Sequence, residues 1–159
     1  MPKILIVYFS KTGNTKLMAD LTAQGAFKAG AEVKCIEVEK VTFDDLLSSD
    51  GIIVGSPTYY GSMAAPIKKL FDDSILINGK LVGKVGAAFS SSAFIGGGNE
   101  TTILDILKAM LVHGMIIQGD FKRDHFGPVA INKPDERSQK LCLRLGARVV
   151  NLVKRLQEK

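Results

Sequence analysis

The chain has 159 residues, 46% of them hydrophobic and 23% charged, with a formal net charge of +5. That length suits one domain, residues 1–159, with a substantial core, and the composition excludes disordered and fibrous classes. No apolar run approaches the ~20 residues of a membrane span, and the N-terminus lacks the apolar core and cleavage site of a signal peptide, so a cytoplasmic setting is expected. The first predicted element is a strand over Lys3–Phe9, unbroken in its apolar character from Ile4 and so suited to burial on both faces. It runs into Ser10-Lys11-Thr12-Gly13-Asn14-Thr15, where a helix over Asn14–Lys28 begins. Three hydroxyls at a strand-to-helix turn exceed what a helix cap requires. Gly13 lets the backbone turn tightly, and the orphan N–H groups and positive dipole end of the helix favour an anion. The turn is therefore a candidate phosphate site, with Lys11 at a position of no fixed chemistry. It has neither the Lys of a Walker loop nor the glycines of a dinucleotide fingerprint.

A strand over Glu32–Glu37 and a short helix over Phe43–Ser48 follow, then a third strand over Gly51–Gly55. Beyond it lies Ser56-Pro57-Thr58-Tyr59-Tyr60-Gly61-Ser62, two tyrosines bracketed by Pro and Gly that can stack on or edge a flat heterocycle. A helix over Ala64–Asp72 leads to a fourth strand over Lys84–Phe89, followed by Ser90-Ser91-Ser92-Ala93-Phe94-Ile95-Gly96-Gly97-Gly98. That stretch offers exposed backbone N–H groups, or else a flexible connection. Asn99 caps the next helix, Glu100–His113, in which Ile103, Ile106, Leu107 and Met110 recur at helical spacing. The last elements are a strand over Met115–Gln118, an irregular stretch from Gly119 to Pro134 containing His125, and a helix over Asp135–Gln157. Alternating strands and helices predict a parallel sheet covered on both faces, with a ligand outside the carboxyl ends of the strands. Three loops, after the first, third and fourth strands, should converge there.

The positive charge permits an anionic substrate such as a nicotinamide nucleotide. It does not argue for nucleic acid, because the basic residues are spread out. In the richest stretch, Lys133–Lys159, most fall opposite Leu141, Leu145, Leu152 and Leu156, as a solvated helix face should. Cys35 and Cys142 fit no metal-ligand or redox spacing and read as packing residues; no metal site is expected.

Together the three loops resemble those of the flavodoxin-like FMN proteins, and within them the WrbA-type NAD(P)H:quinone oxidoreductases and flavodoxin-annotated bacterial relatives. The resemblance spans essentially the whole chain. It implies a three-layer α/β sandwich around a five-stranded parallel sheet of order 2-1-3-4-5. It further implies that Ser10 to Thr15 hold the FMN phosphate, that Pro57, Thr58, Tyr59, Tyr60 and Gly61 flank the isoalloxazine, and that Ser90, Ser91, Ser92, Ala93, Phe94, Gly96, Gly97 and Gly98 form the third flavin loop. His113-Gly114-Met115 resembles a His-Gly-Met segment whose His lies near the flavin, which makes His113 the one candidate catalytic residue; a helix-end cap is the alternative. The implied activity is NAD(P)H-dependent reduction of a quinone through FMN, or electron carriage as a flavodoxin docking on a redox partner protein. The chain departs from the WrbA pattern in two ways: Tyr59-Tyr60 stand where Arg-Phe is usual, and the region between the second and third strands is brief. It departs from the common electron-transfer flavodoxins in being basic where they are strongly acidic. A homo-oligomer is left open.

Overall fold

The computed structural model describes residues 1–158. Its strands are β1 (Lys3–Tyr8), β2 (Glu32–Glu37), β3 (Gly51–Tyr59), β4 (Ser62–Met63), β5 (Val85–Ser92), β6 (Ile116–Ile117) and β7 (Val129–Ile131). The α-helices are α1 (Asn14–Lys28), α2 (Phe43–Ser48), α3 (Ala65–Asp73), α4 (Asn99–Val112) and α5 (Glu136–Gln157). The parallel core of the sheet runs β2-β1-β3-β5-β6, with β4 added antiparallel to β3 and β7 parallel to β5. This is the expected flavodoxin-like order, in seven strands rather than five.

The two extra strands have separate causes. Pro57, Thr58 and Tyr59 continue β3 rather than leaving it, and Thr58 and Tyr59 pair with Met63 and Ser62 in a hairpin. The hairpin turns on Tyr60 (φ 50°) and Gly61 (φ 75°), both left-handed, as a two-residue turn matching the twist of the strands requires. The second extra strand comes from a split fifth position. β6 pairs only with Val85 and Gly86 at the start of β5, and β7 pairs with Ser90, Ser91 and Ser92 at its end. Residues 118–128 leave the edge between them.

Side-chain alternation along β1 divides the core. Ile4, Ile6 and Tyr8 face α1 and α5 together with Met18, Ile53, Phe89, Leu145 and Val149. Leu5 and Val7 face the other layer with Ile52, Val54, Ile67, Ile103, Ile106 and Met110. On the first layer Gly25 of α1 and Gly146 of α5 let the helix backbones approach: a Cβ at Gly25 would run into the carbonyl of Leu143, and one at Gly146 into the carbonyl of Thr22. Among the described residues no helix is long and apolar enough to cross a membrane.

Candidate functional site

Parallel strands deliver their C-terminal ends to one edge, and the three predicted loops meet there. The loop after β1 reaches α1 through Gly13, the N-cap, at φ 94°. No side chain caps the first turn of α1, so its N–H groups stay available for an anion. Ser10 Oγ accepts from the Gly13 N–H at 3.1 Å, which closes the loop on itself. Lys11 and Thr12 are exposed and Asn14 is half-buried. Thr15 points the other way: it is 2% exposed, and its Oγ1 lies 2.9 Å from Ser91 Oγ. Its hydroxyl pins the first turn of α1 to β5, leaving Thr12 and the backbone N–H groups to face outward.

A similar division runs through the third loop. Ser90, Ser91 and Ser92 are buried members of β5, not loop residues. Ser90 Oγ lies 3.0 Å from Thr58 Oγ1, and Thr102 Oγ1 lies 3.2 Å from the same Thr58 oxygen. Asn99 Nδ2 donates to Ser92 Oγ at 3.0 Å. These hydroxyls hold the end of β5 to β3 and α4, and of this loop only the segment from Ala93 to Gly97 is exposed. The loop ends at Gly98 (φ 99°), the N-cap of α4, again without a side-chain cap. Gly98 sits against the hairpin turn so closely that a Cβ there would come within 2.7 Å of Gly61 Cα. Thr101 Oγ1, at 2.7 Å from the Gly61 carbonyl, fastens the two loops together.

The hairpin completes the site. Tyr59 meets Phe9 edge to face, with ring centroids 6.3 Å apart, and Lys11 Nζ lies 5.8 Å from the Tyr59 centroid. Tyr60 stands free at the tip and Phe94 is 74% exposed, so two aromatic faces are open at this edge. Two further residues join the site. Asn132, just past β7, donates from Nδ2 to the Ala93 carbonyl at 3.2 Å. Phe9 backs Tyr59. Asn132 carries no local sequence signal, because its position depends on the split fifth strand.

His113 is not brought to these loops. It follows Val112, the last residue of α4, and that helix carries the chain away from Gly98 through 14 residues, about 21 Å. At the opposite edge of the sheet its Nε2 lies 2.7 Å from Ser74 Oγ, its Nδ1 is buried without a partner, and burial lowers its pKa from the ordinary histidine value. There it lines one end of a groove of about 520 Å³ between α3 and α4, with Met63, Phe71 and Val112 among the apolar walls. A residue preceding a parallel strand sits at that strand's amino end, which is why the helix-end position does not reach the ligand edge. His125 Nδ1 is 2.7 Å from the Asp120 carbonyl in the excursion 118–128.

Comparison with known proteins agrees with this architecture. The family model described as Flavodoxin matches residues 6–113. A flavodoxin from Aquifex aeolicus (strain VF5) is 39% identical over 162 residues, covering 96% of this chain and 88% of that protein. An NAD(P)H dehydrogenase (quinone) from Sinorhizobium fredii is 38% identical over 141 residues, covering 75% of this chain and 71% of the other. Among solved structures, a WrbA-like flavodoxin from Agrobacterium tumefaciens superposes with a TM-score of 0.84 at 27% identity, covering 98% of this chain and 99% of that one.

Proposed function

We propose, from the premise that this chain belongs to the flavodoxin family, that it holds FMN at the three-loop edge and works as an NAD(P)H-dependent quinone-type oxidoreductase. The observation that carries the reading is the pairing of an uncapped α1 N-terminus with an aromatic rim on the neighbouring hairpin. The first offers backbone N–H donors, the Thr12 hydroxyl and a favourable dipole to a phosphate monoester. The second offers flat apolar faces to a heterocycle. The donor set thus suits a ligand with a phosphate at one end and a ring at the other. Gly98 lies so close to Gly61 that a Cβ there would push apart the two ring-flanking loops, which the present contact keeps in register.

FMN, when bound, would supply the hydride-accepting and electron-donating ring. The chain's own contribution is to bind, orient and shield it. The α1 turn anchors the phosphate, the hydroxyl network of Thr58, Ser90 and Thr102 fixes the loop bases, and Tyr59, Tyr60 and Phe94 limit water at the ring. None of these side chains is needed as a nucleophile, and the site has no separate dinucleotide fingerprint. A nicotinamide donor and a quinone would therefore use the same open face in turn, which gives ping-pong kinetics. A second reading, an electron-transfer flavodoxin that docks on a redox partner protein, is favoured by the near full-length match to the Aquifex flavodoxin.

Anaerobic spectroscopy separates the readings. Purified protein supplemented with FMN should show flavin absorption bands that bleach within minutes of adding NADPH or NADH and return on adding benzoquinone. Bands that persist after the nicotinamide leave the carrier reading; no bound flavin at all removes both. In the same preparation Thr12→Val should weaken FMN binding by ~1–3 kcal/mol, read by fluorescence titration.

A further inference from the structure

The charge pattern of the site is uneven in a way that the binding of FMN alone does not require. No Asp or Glu occurs in residues 10–15, 56–62 or 89–99, the three loops with their strand ends. The single charged side chain in those segments is Lys11, whose Nζ stands 5.8 Å from the centre of the Tyr59 ring. The second helix that starts at this edge, α4, reaches it with no side-chain cap, so its positive dipole end also faces the loops. The next carboxylate in the chain, Glu100, is exposed on the first turn of α4. Asp105, one turn further on, accepts from Ser62 Oγ at 2.6 Å at the base of the hairpin, and its charge is paired with Lys108 Nζ at 2.7 Å. Lys133, past β7, adds no negative charge.

We propose that Lys11 is an electrostatic determinant of the bound flavin's reduction potential, favouring the negatively charged fully reduced ring over the neutral oxidised one. The inference rests on the FMN reading above and goes beyond it by assigning a role to a residue that phosphate binding leaves unexplained. Oxidised and fully reduced FMN share the same phosphate, and they differ in ring charge. A cation that serves only the phosphate stabilises both forms alike. A cation held beside the ring-flanking tyrosine stabilises the reduced form more, and thermodynamic linkage turns that difference into a higher potential. Such a site suits two-electron reduction by a nicotinamide, because the product of that step carries the charge that Lys11 faces.

The test compares two affinities in each of four proteins: wild type, Lys11→Arg, Lys11→Gln and Lys11→Glu. Lys11 is exposed, so the substitutions leave the core untouched. Oxidised FMN is titrated by fluorescence quenching, and the midpoint potential of the bound flavin, measured by dye equilibration under nitrogen, gives the affinity for reduced FMN. The ratio of reduced to oxidised dissociation constants should rise about threefold in Lys11→Gln and about tenfold in Lys11→Glu, and stay at the wild-type value in Lys11→Arg. Tenfold corresponds to about 30 mV for the two-electron couple. Raising the salt from 0.01 to 1 M should shrink these differences, because the charge is solvent-exposed. If both affinities move together, or neither moves, Lys11 serves the phosphate or nothing and the proposal is overturned while FMN binding stands. If wild-type protein binds no FMN in either state, the functional reading falls and this proposal falls with it.

Discussion

Ser74 has one hydroxyl hydrogen, and the carbonyl of Phe71 accepts it at 2.6 Å. The 2.7 Å contact between Ser74 Oγ and His113 Nε2 must then be donated by the imidazole, which puts the proton on Nε2 and leaves Nδ1 as a buried acceptor without a partner. Burial lowers the His113 pKa, so the folded protein holds this ring neutral at pH values where the unfolded chain, with a pKa near 6.5, already takes up a proton. The unfolded state therefore binds more protons as pH falls, and stability is lost from about pH 6.5 downward toward the lower folded pKa. The melting temperature should fall on going from pH 7.5 to 5.5. His113→Gln should flatten that slope; an equal slope in the variant would remove His113 as its source. In sequence a histidine at a helix end beside a strand points equally to a cap and to a ligand contact. Only the direction of α4 decides, because the helix that begins at the loop edge ends at the other. Tyr60 shows the converse case. Its left-handed φ is a costly backbone state for a side chain of its size, and no local pattern reveals that two tyrosines and a glycine close a hairpin rather than a loose loop.

Among the elements, α1 and α5 pack through glycines whose places a methyl group would take from backbone atoms of the facing helix. Those obstacles cannot rotate away as a side chain can, so the helices themselves must separate. Gly146→Ala gains helix propensity but should still lose about 2–3 kcal/mol, seen as a melting temperature lower by roughly 5–10 °C. A loss below 1 kcal/mol would mean that α5 slides to accommodate the methyl. Helix periods and the buried β1 run are properties of neighbouring residues, which is why α1, α2, β1 and β2 appear in sequence close to their true bounds. The fifth strand position is different. Ile116–Ile117 is too short to signal alone, and Val129–Ile131 follows Gly127-Pro128 in a stretch without alternation. Its strand state comes from pairing with Ser90, Ser91 and Ser92, a contact that no local window contains. The site follows the same rule. The three loops are legible by composition, whereas the inward turn of Thr15, Ser90, Ser91 and Ser92 depends on which face of β5 each hydroxyl meets.

At the scale of the whole molecule, the excursion 118–128 is tied to α5 mainly by charge. Asp120 is buried, with Arg144 Nη2 at 2.9 Å and Arg148 Nη1 at 3.1 Å, and Asp124 takes Arg137 at 2.8 Å. Burial pushes the Asp120 carboxyl up, but the Lys122 N–H and the Arg148 and Arg144 guanidiniums outweigh it and hold the group below the usual carboxylate range. Asp45 and Asp105 are also lowered, chiefly by hydrogen bonds from Lys34 and Lys108. Each depressed carboxyl contributes stability that is fully present above its unfolded pKa, near 3.9, and disappears as pH falls through the lower folded value. Acid unfolding should thus come in a second fall, below about pH 4, distinct from the loss near pH 6 that His113 produces. Asp120→Asn isolates the excursion's share. It leaves Arg148, whose side chain is only 16% exposed, without its carboxylate, and so should cost about 2–4 kcal/mol at pH 7, with the half-exposed Arg144 adding little. Because the cost is the carboxylate's own, wild type and variant should converge in stability as pH drops below 3. Denaturant melts at pH 7, 5, 4 and 3 read this directly. A gap that stays constant across that range would place the effect of Asp120 in its packing rather than its charge.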